Sequence, residues 1–339
     1  MQPGSRTVLA AQRIDALASI DIDLTHLSRW RTLVEMLRSL LIALSQNSTL
    51  RKVMESSSPG RRVSGRFVAG TSVADALRVT RELNAQGFAV TADSLGESVQ
   101  SENEARAAAD IYHQLLDAIA AEGMNANVSV KLTGVGMDVS PELAESTTGG
   151  IVQHAAQLGN FVRIDMEGTP YTEATIALTE RLHAAYPRAV GTVLQAYLYR
   201  TAEDTARLLR QGIRIRLCKG AYKEPGNLAF PQKSDVDANY VKLMQMMLPS
   251  GVFCGIATHD AAMVAATEQF AKEHGIAHSA FEFQMLFGVQ RELQRDLLKR
   301  GFGVRVYLPF GTDWYPYFMR RLAERPANVL FLMKNLFRS

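Results

Sequence analysis

Eight short apolar runs recur along the chain from about residue 66, separated by longer stretches in which apolar side chains return every third or fourth position. The runs are FAVTAD (88–93), VSVKLT (128–133), FVRIDME (161–167), TVLQAY (192–197), IRIRLCKG (213–220), VFCGIATH (252–259), FEFQML (281–286) and VRVYLP (304–309). Between them lie segments such as ENEARAAADIYHQLLDAIAAEG and YTEATIALTERLHAAYP, whose period is helical. Strands joined through helices pair in parallel, because antiparallel neighbours need only a tight turn. Eight such units predict an α/β fold of the closed (β/α)8 barrel type in preference to an open doubly wound sheet. An open sheet usually carries a Gly-rich phosphate turn directly after a strand. The nearest candidate, GVGMDV at 134–139, lacks a third glycine and a following helix, so no Rossmann or Walker fingerprint is present.

Residues 1–65 follow a different pattern. They are helical in period and end in MESSSPGRRVSG, a linker signal, so they read as an N-terminal helical arm on a barrel spanning 66–339. Within the arm, Leu33, Met36, Leu37, Leu40, Leu41 and Leu44 line one face of an amphipathic helix. At the other end, DWYPYFMRRLAERP (313–326) has Asp313 as N-cap, Pro316 in a first turn and Pro326 as a stop. The helix so bracketed places Tyr317, Arg320, Arg321 and Glu324 on one face at spacings of three and four. Because it begins a few residues after the last strand, it is expected to cap the C-terminal mouth of the barrel.

Strands covered on both faces should be almost wholly apolar. Here polar residues interrupt them, toward their C-terminal ends: Asp93, Lys131, Asp165 with Glu167, Gln195, Arg216 with Lys219, His259, Glu282 with Gln284, and Tyr307. That is the end at which barrel active sites form. Three cations beside two carboxylates suit an anionic ligand held next to a second polar function. Two adjacent arginines on the capping helix match a small carboxylate, since guanidinium donors meet it bidentately.

Bulk properties narrow the class. With 339 residues, 47% hydrophobic and 21% charged, the chain has the composition of a soluble globular protein with a large core. A net charge of +3 without a long basic run gives no nucleic-acid footprint. Two cysteines, Cys218 and Cys254, make no disulfide framework and fit a reducing compartment as packing residues. The N-terminus lacks a signal-peptide core, and no stretch is long enough to span a bilayer. No metal-binding spacing occurs, no GxSxG elbow is present, and His113, His154 and His183 read as surface or packing histidines.

The residues in order resemble the flavin-dependent proline dehydrogenase family over roughly 66–326. The resemblance rests on RFVAG (66–70), SLGES (94–98), VSVKLT, RIDME, LQAYLYR (194–200), RLCKGAY (216–222), ATHD (257–260), FEFQML, RVYLPFG and the closing YFMRRLAE. The short spacing from Tyr307 to Arg320 is similar to that of bacterial single-function members, and Cys218 stands where an aliphatic residue is commoner. The resemblance implies a distorted TIM-type barrel that holds FAD non-covalently and oxidises L-proline to Δ1-pyrroline-5-carboxylate. It implies that Lys131, Arg320 and Arg321 hold the substrate carboxylate, with Tyr222 and Leu286 as an apolar wall. Tyr307 would sit beside the substrate ring, and Asp165 would orient without abstracting a proton; with Arg216 these form the catalytic group. Met166, Gln195, Arg216, Lys219, Gly220, Ala221, Thr258, His259 and Glu324 would contact the flavin. Glu97 with Arg320 would form a gate. The implied acceptor is a membrane quinone, which makes the protein cytoplasmic with peripheral membrane contact; the oligomeric state is left open. Two other classes stay in view. One is a lyase in which Lys131 forms a Schiff base, and the other is a flavin-free scaffold whose arm binds a partner.

Overall fold

The computed structural model describes residues 65–324 and Met54, with the backbone alone described for 320–324. The expected helical arm therefore lies outside the described residues, as do the side chains of Arg320, Arg321 and Glu324. The chain divides into two compact units, Lys52–Phe318 and a second formed by Met1–Arg51 with Met319–Ser339. The first contains the barrel.

Eight parallel strands form it: β1 (Ala89–Ser94), β2 (Ala126–Val130), β3 (Val162–Ile164), β4 (Val190–Gln195), β5 (Arg214–Cys218), β6 (Cys254–Ala257), β7 (Phe281–Leu286) and β8 (Gly303–Phe310). They pair in sequence order, and β8 closes on β1 with Thr91 opposite Tyr307. Helix α1 (Val73–Asn84) precedes β1. Helices α2 (Glu102–Ala121), α3 (Pro141–Gln157), α4 (Thr169–Ala185), α5 (Thr201–Arg210), α6 (Lys233–Met247), α7 (Ala261–Glu273) and α8 (Arg291–Lys299) connect successive strands, and α9 (Trp314–Glu324) follows β8.

Period two along each strand explains the architecture. Val90, Ala92, Val128, Val130, Ile164, Leu217, Ile256, Phe283, Val306 and Leu308 are buried and belong to the hydrophobic layer between sheet and helices. Each fully buried aliphatic or aromatic side chain there contributes about 1.5–3 kcal/mol. Along β1, β2, β3, β5, β7 and β8 the alternate residues include Asp93, Ser129, Arg163, Arg216, Glu282, Gln284, Arg305 and Tyr307, which are polar. By contrast, β4 and β6 place Gly191, Val193, Gly255 and Ala257 in the same set. Helix α2 shows the matching face: Ala105, Ala109, Tyr112, Leu115, Leu116 and Ile119 are its buried positions, at helical spacing. Ser101 caps it by accepting from the Glu104 amide at 3.3 Å. Leu116→Ala would open a cavity at a cost of about 2–5 kcal/mol.

Two expectations need correction. The runs VSVKLT, FVRIDME, TVLQAY, IRIRLCKG and VFCGIATH were expected to be strands to their ends, but β2 stops at Val130, β3 at Ile164, β4 at Gln195, β5 at Cys218 and β6 at Ala257. Lys131 follows β2 and Asp165 follows β3 immediately, and Thr133–Val135 turns as a 3₁₀ helix. The chain bends there because the Thr133 amide and hydroxyl both donate to Glu167, at 3.0 and 2.5 Å, instead of continuing the ladder. Second, a helix does follow GVGMDV. Helix α3 starts at Pro141 with Ser140 as its cap. Gly136, at φ +112, makes the preceding turn, which keeps the segment from resembling a strand-to-helix phosphate loop.

Candidate active site at the C-terminal mouth

The barrel interior is a hydrogen-bonded stack of ions. In the lower layer, Arg305 Nε donates to Glu282 Oε1 at 2.6 Å, and Gln284 Nε2 donates to the same oxygen at 2.6 Å. Arg163 donates to the Thr192 and Arg214 carbonyls at 2.8 and 2.6 Å. Burial, with Arg216 and Arg305 adding like charge, holds its guanidinium well below the usual range.

The upper layer centres on Asp165. Its Oδ1 accepts from Ser129 Oγ at 2.6 Å and from Arg216 at 2.8 Å, and its Oδ2 accepts from the Tyr307 hydroxyl at 2.7 Å. Arg216 is fixed from behind by Gln284, which accepts from its Nε at 2.5 Å, and its guanidinium lies 5.2 Å from the Tyr307 ring centroid. Burial, reinforced by Asp165 and Asp93, pushes the Tyr307 phenol well above its ordinary value. It therefore remains a donor, and both Asp165 oxygens are occupied as acceptors.

Beside this cluster, Lys131 Nζ donates to both oxygens of Asp93 at 2.9 Å. Burial pushes the Asp93 carboxyl up, and Lys131 offsets part of that. Burial works against the lysine's charge as well, but Asp93 and Asp165 outweigh it and hold Lys131 above its ordinary value. A lysine held cationic lacks the free lone pair that imine formation needs, which weighs against the lyase reading.

The other sequence candidates stand around the same end. Gln195 ends β4, and its Nε2 donates to the Met166 and Glu167 carbonyls, both at 3.1 Å. Its Oε1 is buried with no partner among the described residues. Lys219 follows β5 and is held by Asp237 at 2.5 Å and Asp260 at 2.7 Å. Gly220 has φ +119, and a Cβ there would lie 2.5 Å from the Tyr197 ring. Thr258 follows β6, and its Oγ1 accepts from the Asp260 amide at 3.0 Å. His259 Nε2 accepts from the Leu286 amide at 2.8 Å, which in the neutral ring leaves the hydrogen on Nδ1. Gly220, Ala221 and Tyr222 form an exposed rim. Glu97 lies exposed on the loop after β1. Among the described residues, the geometry thus gathers Lys131, Asp165, Met166, Gln195, Arg216, Lys219, Thr258, His259, Leu286 and Tyr307 at one mouth. The Glu97–Arg320 gate and the Arg320–Arg321 clamp depend on Arg320, Arg321 and Glu324, whose side chains lie outside the described set.

The sequence marked Asp93 and Gln284 as polar strand residues without a role and left Ser129 out; these three hold Lys131, Arg216 and Asp165 respectively. Their signal was the period-two polar pattern within otherwise apolar strands. A cavity of about 1000 Å³ lies at the opposite, N-terminal end, lined by Asn127, Phe161, Arg214 and Arg305 among others. Its lining holds no carboxylate, whereas acid, cation and phenol converge at the mouth.

A match to the proline dehydrogenase family covers residues 76–334. The chain is 42% identical over 304 residues to proline dehydrogenase 1 of Bacillus subtilis, covering 89% of this chain and all of that one. It is 39% identical over 277 residues to proline dehydrogenase of Deinococcus radiodurans, covering 80% and 89%. Among solved structures, proline utilization A from Bdellovibrio bacteriovorus, inactivated by N-propargylglycine, superposes with a TM-score of 0.75 at 24% identity. That superposition covers 85% of this chain and 36% of the other, and it speaks to the fold alone.

Proposed function

The chain belongs to the proline dehydrogenase family, and from that premise we propose that it binds FAD non-covalently and oxidises L-proline to Δ1-pyrroline-5-carboxylate. The observation carrying this reading is a cationic Lys131, paired with Asp93, at the same strand ends as an Asp165 carboxylate fixed by Ser129, Arg216 and Tyr307. Two hydrogens of Lys131 are taken by Asp93, which leaves one to meet a substrate carboxylate. Arg320 and Arg321 complete the clamp, and Glu97 closes it by pairing with Arg320. Tyr307 lies beside the substrate ring, with Leu286 and Tyr222 as its wall. Asp165 orients the ring amine and its neighbours without taking a proton.

The residues present fit a flavin. The orphaned Gln195 Oε1 is an acceptor that a flavin N–H would satisfy, and burial without a partner costs about 1–3 kcal/mol. Gly220 leaves room where a side chain would collide, so backbone can approach a ring or phosphate closely. Arg216 supplies a buried cation, and Met166, Thr258, His259, Ala221 and Glu324 complete the cradle. The ammonium of Lys219 reaches a phosphate only in company with Asp237 and Asp260. When bound, FAD supplies the oxidising power by accepting a hydride from the substrate carbon next to nitrogen. The protein's part is to hold the substrate, exclude water and keep these charges in place.

Anaerobic addition of L-proline to the purified flavoprotein tests this. Bleaching of the oxidised-flavin absorbance, with appearance of a cyclic imine product, is the expected outcome; an unchanged spectrum with proline defeats the reading. We extend the proposal to a membrane quinone as acceptor and to a cytoplasmic protein in peripheral membrane contact. Among the described residues no helix is long and apolar enough to cross a membrane. Turnover with a soluble quinone that equals or exceeds turnover with dioxygen supports the acceptor class, and the reverse order removes it.

A further inference from the structure

On the outer face of the barrel, away from the mouth, His113 of α2 and His154 of α3 meet with their Nδ1 atoms 2.8 Å apart and their rings stacked at 4.9 Å. His154 Nε2 lies 2.7 Å from Asp117 Oδ1. A carboxylate only accepts, so His154 carries its hydrogen on Nε2 and presents a lone pair at Nδ1. His113 must then donate from Nδ1, giving one directed chain, His113 to His154 to Asp117. Such a pair tolerates one added proton but not two, because two donors would face each other.

We propose that His113 and His154 form an exchangeable site for a divalent transition metal of the imidazole-binding class, Cu2+ or Zn2+, seated between the two Nδ1 atoms. Binding moves the His113 hydrogen from Nδ1 to Nε2 through solvent, so both lone pairs turn to the metal and no proton is lost from the neutral pair. Two cis ligands at 2.0 Å from a metal lie about 2.8 Å apart, and a tetrahedral site needs an opening of only about half an ångström. Asp117 on the far nitrogen of His154 is the carboxylate partner that orients a ligating imidazole and raises its basicity. The residues facing the pair suit a cation: Asp110 and Asp117 on α2 act on His113, and Gly150 on α3 leaves its Nε2 open, with nothing nearer than 4.0 Å to a hypothetical Cβ. Among the described residues no group of three or more such side chains is placed to hold a metal. The protein therefore supplies two ligands and water the rest, which makes the ion removable by a chelator.

The test uses the full-length flavoprotein, stripped with chelator and titrated with Zn2+ and, separately, Cu2+ at pH 7.5. One ion per chain is expected, with nitrogen coupling from two imidazoles in the Cu2+ electron paramagnetic resonance spectrum. At tenfold excess over the dissociation constant, Zn2+ should raise Tm by roughly 2 °C. Asp117→Asn should weaken binding by about 10–100-fold. His113→Gln with His154→Gln should abolish the ion while metal-free turnover is kept. Uptake unchanged in that double variant, coupling to a single nitrogen in the wild type, or no saturable uptake at all would each overturn the site. If the double variant does not fold, the wild-type spectrum decides alone.

Discussion

Both carboxylate oxygens of Asp93 lie 2.9 Å from Lys131 Nζ, at the end of adjacent strands and with Asp93 almost wholly buried. This pair sets the charge and the direction of Lys131, which the proposed function sets against a substrate carboxylate. Asp93→Asn keeps the shape and removes the charge. The expected result is an apparent KM for proline raised about 10–30-fold, equivalent to about 1–2 kcal/mol, with flavin content unaltered. Asp93→Ala leaves Lys131 buried without a partner and should destabilise by about 3–5 kcal/mol. Normal proline kinetics in the asparagine variant would remove Asp93 from the positioning of Lys131.

Tyr307 reaches across from β8 to Asp165 of the β3 end at 2.7 Å. Tyr307→Phe removes a donor whose loss leaves Asp165 Oδ2 short of a partner, at a cost of about 1–3 kcal/mol. A drop of about 10–100-fold in kcat/KM is expected, with the flavin spectrum retained. Kinetics equal to wild type would mean that the phenol ring alone matters.

Gly220 occupies φ +119 against the Tyr197 ring. Gly220→Ala forces either the turn or the ring to move, and strain of about 1–3 kcal/mol falls on the exposed rim and spares the core. The ratio of flavin to protein absorbance should fall while far-ultraviolet circular dichroism stays the same. Full flavin occupancy in this variant would take the turn out of the cradle.

At the start of α1, Ser72 and Asp75 form a reciprocal capping box: Ser72 Oγ accepts from the Asp75 amide at 3.2 Å, and Asp75 Oδ2 accepts from the Ser72 amide at 3.2 Å. The Ser72 hydroxyl bond, ahead of the opposing effect of burial, holds the Asp75 carboxyl below its ordinary value. A depressed folded-state pKa gives stability that is present above the unfolded value and lost as pH falls through the folded one. Asp75→Asn should cost about 1 kcal/mol at pH 7, and the difference should shrink below about pH 4. Urea midpoints at the two pH values check this, and an equal difference at both would show that charge is not involved.

Much of the fold was legible because parallel barrel strands announce themselves twice, by apolar runs facing the helices and by polar residues at every second position facing the axis. The runs located β1 to β8, and Asp313 and Pro316 located the start of α9. Strand ends were not legible. Lys131 lies just beyond β2, where Thr133 turns its donors to Glu167, and that partner is 34 residues away.

The linear order of side chains thus determined the barrel class, the direction of its strands and the end at which its ions gather, since these follow from periodicity and chain connectivity. Only the tertiary structure decided which ion holds which. Asp93 with Lys131, Ser129 with Asp165, Gln284 with Arg216, and His113 with His154 are pairs separated by between 36 and 68 residues in the chain. Hydrogen bonds act over about 3 Å, so a partner is chosen by the register and closure of the sheet and the packing of its helices, neither of which any local stretch encodes.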